Sequence, residues 1–188
     1  MDDLYVKEAA RQYTYADYAD WKDDKRYELI DGKVYMLSAP SVVHQSISGE
    51  LYRQLGNFLV GKPCDVFAAP FDVCLSAAGD DDRTVIQPDI LVVCDKSKLD
   101  DKRCNGAPDM AIEILSPSTA SRDMMIKYNK YMTAGVREYW IVNPVIKAVH
   151  VCILKDGEYA ITDYFNAGSI PVSILEGCQI NIDLVFTE

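Results

Sequence analysis

Residues 111–115 have the sequence AIEIL, and residues 88–94 have the sequence PDILVVC. Short apolar runs of this kind are typical of buried β-strands. Each run also contains a carboxylate, Glu113 in the first and Asp89 in the second. Burying an ionised carboxylate without a partner is costly, so two of them on neighbouring strands predict a cation between them. Because carboxylate and carbonyl oxygens are the usual ligands of hard divalent cations, the sequence predicts a metal site on a core sheet.

The composition is that of an ordinary soluble globular protein. The 188 residues are 49% hydrophobic and 26% charged, and we expect them to form a single domain, 1–188. No apolar run approaches the roughly 20 residues that a membrane span needs, and the first residues are not a basic segment followed by an apolar one. We therefore expect a cytoplasmic protein with no membrane partner.

The cysteines predict buried thiols. The chain has six cysteines and no CxxC pair, and most of them lie in apolar runs. Reduced thiols are therefore favoured over disulfides and over a zinc site. The residues concerned are Cys64, Cys74, Cys94, Cys104, Cys152 and Cys178.

The net charge of −10 argues against indiscriminate binding of nucleic acids, since phosphate affinity comes chiefly from Lys and Arg. A local basic groove is still compatible with this charge. Its candidate residues lie in one loop and in one predicted helix: Lys96, Lys98, Lys102 and Arg103 in the loop, and Arg122, Lys127 and Lys130 in the helix. For the loop residues, solvated surface charges are the favoured interpretation.

Strand and helix patterns alternate along the chain. The Asp31-Gly32 step between two apolar runs predicts a β-hairpin, and apolar residues at every fourth position from Val43 to Leu59 predict a helix from residue 41 to 60. A second long helix comes after the Glu113 strand, is capped near residues 116–119 and stops at Gly135. A short helix is predicted at 14–21, and further strands at 64–68, 71–75, 137–143, 148–154 and 159–165. This order predicts an α+β fold, α/β/α-like, with a mixed sheet flanked by helices.

Strand geometry indicates which side chains share a face. Alternate residues of a strand point the same way, so Glu113 and Leu115 lie on one face while Ile112 and Ile114 lie on the other. The backbone carbonyl of Ile114 is then a further candidate metal ligand, beside Glu113 and Asp89. Two carboxylates that hold magnesium would support hydrolysis of a phosphodiester.

A nearby ammonium would orient water and offset negative charge. Lys127 is the candidate, because it lies four residues after Asp123 and the two share one face of the predicted helix. Lys130 is its nearest competitor. Glu28, in the first hairpin strand, is a candidate for a further carboxylate, whereas Tyr131 is interpreted as a packing residue.

Each candidate has a structural alternative. Glu113 could face water from an edge strand, Asp89 could cap a turn, and Lys127 could be a solvated helix lysine. His44 fits a polar helix start as well as it fits a site residue, and His150 is interpreted as structural.

Together these residues resemble the PD-(D/E)xK nuclease superfamily and, within it, the Uma-type family of restriction endonucleases. The resemblance extends from about Tyr15 to Pro144, and its motifs occur in the family's order. The matching residues are Tyr27 to Gly32, Pro88-Asp89, Glu113 to Thr119, Asp123, Lys127, Tyr131, Gly135-Val136 and Glu138 to Val142.

The resemblance implies a restriction-endonuclease-like fold in which Asp89 and Glu113 bind metal. It also implies a role for Glu28. His44 is a further, accessory candidate, and so is Asp123 on the following helix.

The sequence departs from the superfamily pattern at Leu115, where the motif lysine would stand. In the Uma-type family a lysine on the following helix replaces it, and Lys127 matches that position. Asn143 stands where relatives usually carry Asp, and we assign it no role.

We expect a DNA endonuclease that uses Mg²⁺, with Mn²⁺ as the alternative ion. A nuclease-fold module that binds DNA or assembles without turnover is the main alternative, and a small-molecule phosphoesterase is a third. Double-strand cleavage needs two sites, so a homodimer is expected.

Salt dependence tests the expected DNA interaction. Because only a local patch of this acidic protein can meet phosphate, DNA affinity should be weak without divalent metal and should fall along a shallow slope as salt is added. Fluorescence anisotropy of a labelled duplex, measured at several salt concentrations, gives the slope. Tight metal-free binding with a steep slope would contradict this surface and favour a dedicated DNA-binding module.

Overall fold

A computed structural model describes residues 11–116, 122–165 and 168–186, with the backbone alone for residues 122–124. The helices in these ranges are α1 (Tyr15–Ala19), α2 (Val42–Leu59), α3 (Tyr128–Ala134) and α4 (Ile182–Val185). A π-helical segment, Arg122–Lys127, leads directly into α3. None of these helices has the length and apolar character that a membrane crossing needs.

The strands form two larger sheets and one small ribbon. The six-stranded sheet has the order β11-β10-β9-β8-β6-β3, and the five-stranded sheet has the order β2-β1-β5-β4-β7. The ribbon pairs β12 with β13. The strand bounds are β1 Tyr27–Ile30, β2 Lys33–Met36, β3 Asp65–Ala68, β4 Asp72–Cys74, β5 Val85–Ile86, β6 Ile90–Val93, β7 Arg103–Asn105, β8 Met110–Ile114, β9 Glu138–Asn143, β10 Ala148–Lys155, β11 Glu158–Phe165, β12 Ser169–Pro171 and β13 Gln179–Asn181.

Both larger sheets are mixed. In the six-stranded sheet β8 and β9 are parallel and the other pairs are antiparallel. In the five-stranded sheet β4 and β7 are the parallel pair. The predicted α+β class with a mixed sheet flanked by helices is confirmed. A single sheet had been expected, and the first hairpin instead belongs to a second one.

The chain crosses between the two sheets at residues 87–89. Strand β5 ends at Ile86 in the five-stranded sheet, and β6 begins at Ile90 in the six-stranded sheet. Pro88 lies at the crossing, and a proline has no N–H to donate to a ladder, so pairing stops there. The crossing places Asp89 where the two sheets meet.

The six-stranded sheet buries side chains on both faces. On one face Ile112 and Ile114 pack with Leu51 and Leu55 of α2. On the other face Leu115 packs in the cluster that contains Tyr131 and Tyr139. The predicted alternation along β8 is therefore observed, and Glu113 projects toward the face that α3 covers.

The apolar stripe of α2 is shorter than its sequence suggests. Ser41 caps the helix by accepting a hydrogen bond from the backbone N–H of His44. Ile47, Leu51, Leu55 and Leu59 are buried, as predicted. The prediction that the stripe begins at Val43 is wrong, because Val43, in the first turn of the helix, is 57% exposed.

The prediction that all cysteines are reduced is wrong for one pair. Cys64 and Cys94 form a disulfide, with their Cα atoms 4.0 Å apart. Cys64 directly precedes β3 and Cys94 directly follows β6, and the Asp65–Val93 pairing of these antiparallel strands brings the cysteines opposite each other. This closeness depends on strand register, and a separation of 30 residues gives no sign of it.

The other four cysteines are buried free thiols, as predicted. Burial raises the pKa of Cys74 and of Cys152 to about 12. It likewise raises the pKa of Cys104 and of Cys178 to about 11. Because the thiolate is the reactive form, these residues should resist alkylation in the folded protein.

Alkylation distinguishes the two classes of cysteine. In protein purified without reductant, folded molecules should take up almost no iodoacetamide, and molecules unfolded in guanidinium should be labelled at Cys74, Cys104, Cys152 and Cys178. Cys64 and Cys94 should be labelled only after reduction. Peptide mass spectrometry assigns each label, and labelling of Cys64 without reductant would show that the disulfide is absent.

Candidate active site

A cavity of about 550 Å³ is lined by both larger sheets, by the start of α2 and by Lys127. We call it the catalytic cavity. Seven of its lining residues are ones that the sequence had singled out in distant parts of the chain: Glu28, His44, Asp89, Glu113, Ile114, Leu115 and Lys127.

Three of these residues form a buried ion cluster. Glu28, Glu113 and Lys127 are 0%, 3% and 2% exposed. The Lys127 Nζ atom lies 2.8 Å from Oε1 of Glu28 and 2.8 Å from Oε1 of Glu113. The ammonium therefore bridges β1 of the five-stranded sheet and β8 of the six-stranded sheet. These three side chains are formally two carboxylates and one ammonium.

Neighbouring donors complete the cluster. The backbone N–H of Gln87 donates to Oε1 of Glu28 over 3.0 Å. The hydroxyl of Tyr131 donates to Oε1 of Glu113 over 2.7 Å. Burial, followed by the negative charge of Glu113, raises the pKa of Tyr131 well above its ordinary value, so the hydroxyl stays protonated and keeps donating.

Tyr131 lies at the site, although the sequence interpretation made it a packing residue. Its ring does pack in the core beside Tyr139. Its spacing from Lys127 was the available signal, because residues four apart share one face of a helix. Both side chains reach Glu113 from that face.

The carboxylate of Asp89 contacts two groups, the His44 ring and a backbone N–H of β8. Its Oδ2 atom lies 3.1 Å from Nε2 of His44 and accepts a hydrogen bond of 2.8 Å from the backbone N–H of Ile114. Its Oδ1 atom accepts no hydrogen bond from the described part of the chain. The structure thus brings His44 into the candidate site, where its sequence position had left two interpretations open.

The structure does not place two other candidates, Asp123 and Lys130, in the catalytic cavity. Asp123 was an accessory candidate, and its side chain lies outside the described residues. Lys130, the predicted competitor of Lys127, does not line the catalytic cavity, because its Nζ atom pairs with Asp31 at 2.5 Å.

Three of the four basic residues of the loop are engaged by other groups and do not form a groove for phosphate. Lys96 pairs with Asp65, and Lys98 donates to the carbonyl of Ala107. Arg103 pairs with Asp80 and with Asp100. The loop charges are thus matched by acidic or carbonyl oxygens, with the exception of Lys102, which is exposed. His150, interpreted as structural, pairs with Asp163 on β11 and lies outside the cavity lining.

The donor atoms fit a hard cation. Asp89, Glu113 and Ile114 line one cavity, and Oδ1 of Asp89 is not engaged by the described residues. Those residues contain no group of three or more His, Cys, Asp or Glu side chains that could hold a metal. Two carboxylates and one carbonyl suit an ion that keeps several water ligands, as Mg²⁺ does.

The fold is shared with a solved protein structure. It matches a crystal structure from Anabaena variabilis, described as "a putative nuclease belonging to DUF820", with a TM-score of 0.73 and 19% sequence identity. The match covers 92% of this chain and 97% of that chain.

The chain belongs to the Uma2 family, described as "Putative restriction endonuclease", whose model matches residues 15–183. A relative from Synechocystis, "Uncharacterized protein slr1290", is 24% identical over 174 residues, which cover 90% of this chain and 89% of the relative. The resemblance found in the sequence is confirmed.

Removing the Lys127 ammonium should strongly destabilise the fold. Lys127→Met keeps the side-chain length but removes the ammonium that lies 2.8 Å from both Glu28 and Glu113, which should cost about 3–5 kcal/mol of unfolding free energy. Urea denaturation followed by circular dichroism measures this loss. Lys130→Met is the matched control, because its exposed pair with Asp31 should contribute about 1 kcal/mol or less.

Removing the charges of both glutamates should restore stability to the Lys127→Met variant. Adding Glu28→Gln and Glu113→Gln to Lys127→Met should recover most of the lost stability, since the two buried carboxylate charges are then removed together with the ammonium. Equal stability of wild type and Lys127→Met at neutral pH would show that the cluster is not a buried ionic unit.

Proposed function

We propose that this protein is a metal-dependent endonuclease that hydrolyses phosphodiester bonds of DNA. The observation that carries the proposal is the Lys127 ammonium, which lies 2.8 Å from Glu113 in the same cavity that Asp89 lines. An ammonium and two carboxylates are the charges that a PD-(D/E)xK site requires, although here the lysine comes from a helix. Membership of the Uma2 family supports the same function.

Asp89, Glu113 and the carbonyl of Ile114 would hold Mg²⁺, or Mn²⁺ in its place. A bound ion of this kind polarises a phosphoryl oxygen and makes a coordinated water more acidic. The protein's own part is to fix the ligands. His44 and the N–H of Ile114 orient Asp89, while Lys127 and Tyr131 orient Glu113.

Lys127 would supply the positive charge that Leu115 cannot. Leu115 is on the same strand face as Glu113, yet its apolar side chain is packed in the core. The Lys127 ammonium is already placed by two glutamates, so it needs little rearrangement to stabilise negative charge that develops on a phosphoryl group. Glu28 assists by holding this ammonium in position.

We also expect a homodimer, because two copies of the site are needed to cut both strands of a duplex and two-fold dimers are the commonest oligomers. Cytoplasmic location stays a prediction. The Cys64–Cys94 disulfide bears on it, since cytosolic thiols are generally kept reduced.

A catalytically weak module that binds DNA or assembles is the second candidate. The net charge of −10 favours it. So do the contacts of two basic residues that line the catalytic cavity: Arg26 is hydrogen-bonded to Gln87, and Lys127 is bound by glutamates. These two side chains would therefore offer phosphate little unmatched positive charge.

Cleavage assays with matched variants decide between these functions. Asp89→Asn keeps the shape of the side chain and removes its charge, so single-turnover cleavage of a DNA substrate with Mg²⁺ should slow by at least about 10²-fold. Asp163→Asn is the control, because it changes the other His–Asp pair, which lies away from the cavity. Chelation of the metal should abolish the wild-type activity.

A second set of cleavage assays compares DNA, RNA and a small phosphate ester as substrates of the wild-type protein. Cleavage of the ester alone would identify a phosphoesterase. DNA binding without any turnover, at equal affinity for wild type and Asp89→Asn, would contradict the nuclease proposal and support the binding module.

A further inference from the structure

A second cavity, of about 360 Å³, has walls rich in aromatic side chains. We call it the aromatic pocket and define it by Tyr15, Tyr18, Trp21 and Tyr27. These residues come from α1, from the segment just after α1 and from β1. The alternation of β1 separates this pocket from the catalytic cavity, because Tyr27 lines the one and its neighbour Glu28 lines the other.

The rings meet at steep angles and so form walls. The rings of Tyr18 and Trp21 are 5.6 Å apart at 70°, and those of Trp21 and Tyr27 are 5.0 Å apart at 84°. Trp21 and Tyr27 are half-buried, so part of each ring remains reachable from solvent. Aromatic walls of this kind accept a flat ring by stacking or edge contact, and base–aromatic contacts are a common means of holding unpaired nucleotides.

A carboxylate gives the pocket a hydrogen-bond acceptor. Oδ1 of Asp72 accepts hydrogen bonds from the hydroxyl of Tyr18 at 3.0 Å and from the side-chain amide of Gln87 at 2.9 Å. Its Oδ2 atom accepts none from the residues that the structure describes. Burial raises the pKa of Asp72, which is consistent with a carboxylate that gains from a further donor. A ligand seated against these rings would therefore be favoured if it carries N–H groups.

Two lysines add positive charge to the lining. Lys25 and Lys102 are exposed, and neither forms an ion pair within the described ranges. Asp23 also lines the pocket and accepts a hydrogen bond from the hydroxyl of Tyr27. The lining therefore combines two lysines with two aspartates, and it suits a lone organic cation less well than rings and carboxylates alone would. It favours a ligand that combines a flat ring bearing N–H donors with an anionic group.

We propose that the aromatic pocket binds a nucleotide unit whose base donates hydrogen bonds. The base contacts Trp21 and its neighbouring tyrosines, its N–H groups donate to Asp72, and its phosphate lies near Lys25 and Lys102. Guanine suits the site best, because its ring N–H and its amino group are adjacent donors for one carboxylate. The unit is either a free nucleotide or an unpaired nucleotide of a longer strand. Binding at this pocket does not depend on the nuclease function.

Tryptophan fluorescence reports on this pocket directly. The chain has two tryptophans, Trp21 in the aromatic pocket and Trp140 in the core. Trp140 is 0% exposed and donates a hydrogen bond to Glu138. Quenching by an added ligand therefore reports on Trp21. The probes are guanosine monophosphate, guanosine, a short single-stranded oligonucleotide and tetramethylammonium, each titrated without divalent metal so that no cleavage occurs.

Guanosine monophosphate should quench Trp21 and should bind more tightly than guanosine. Asp72→Asn should weaken its binding by about tenfold or more, as expected for the loss of a hydrogen bond to a charged group. Lys102→Ala should reduce the preference for the phosphate-bearing ligand while leaving guanosine binding unchanged. Lys155→Ala, at an exposed lysine on β10, is the control and should change neither affinity. Thermal melts establish that each variant is folded.

The outcomes are separable. Quenching by the mononucleotide but not by the oligonucleotide supports the proposal and assigns the site to a free nucleotide, and quenching by the oligonucleotide supports it and assigns the site to a nucleic-acid strand. Quenching by tetramethylammonium alone would overturn the proposal. So would a result in which none of the nucleotide probes quenches Trp21. Equal affinities for guanosine and its monophosphate in wild type, Lys102→Ala and Lys155→Ala would overturn the role of the lysines, and with it the nucleotide assignment.

Discussion

The position of the Lys127 ammonium between two buried glutamates is the constraint on which the rest of the site depends. It connects a strand of each larger sheet to the helical segment that comes after β8. Removing any one of Glu28, Glu113 or Lys127 changes the charge balance of a region from which water is largely excluded. Buried ion pairs can often be replaced by apolar residues at no cost in stability. Stability therefore does not explain this cluster, and charges gathered beside a cavity are typical of functional sites.

The parts of the fold that the sequence predicted are those set by local geometry. The two-residue period of a strand placed Glu113 on the face opposite Ile112, and helix spacing selected Lys127. The division of the strands between two sheets depends on contacts between distant residues. Leu29 of the hairpin pairs with Val85, and no local pattern in either segment encodes that partnership. The hairpin itself was therefore predicted, while the sheet to which it belongs was not.

The site was predicted to a similar extent and for similar reasons. The residue types and family motifs selected Glu28 and Asp89, whose charges are unusual in apolar strands. Tyr131 was missed because an aromatic residue on a helix face packs far more often than it positions a carboxylate. His44 was left undecided because its partner, Asp89, is 45 residues away and is reached only when α2 packs against the sheet. Composition alone could not reveal that contact.

The π-helical turn at Arg122–Lys127 has a consequence for the evolution of the family. A π-helix is generally a local widening that accommodates an extra residue within an α-helix, and such widenings are common at functional sites. Loss of one residue in this turn would restore ordinary helical winding and would rotate α3 by about 100° relative to Arg122, where the turn begins. The lysine and the tyrosine could then no longer both face the glutamate. Lineages that keep this site should therefore conserve the length of the segment more strictly than its composition, and a single-residue gap there would mark lineages in which the site has been lost.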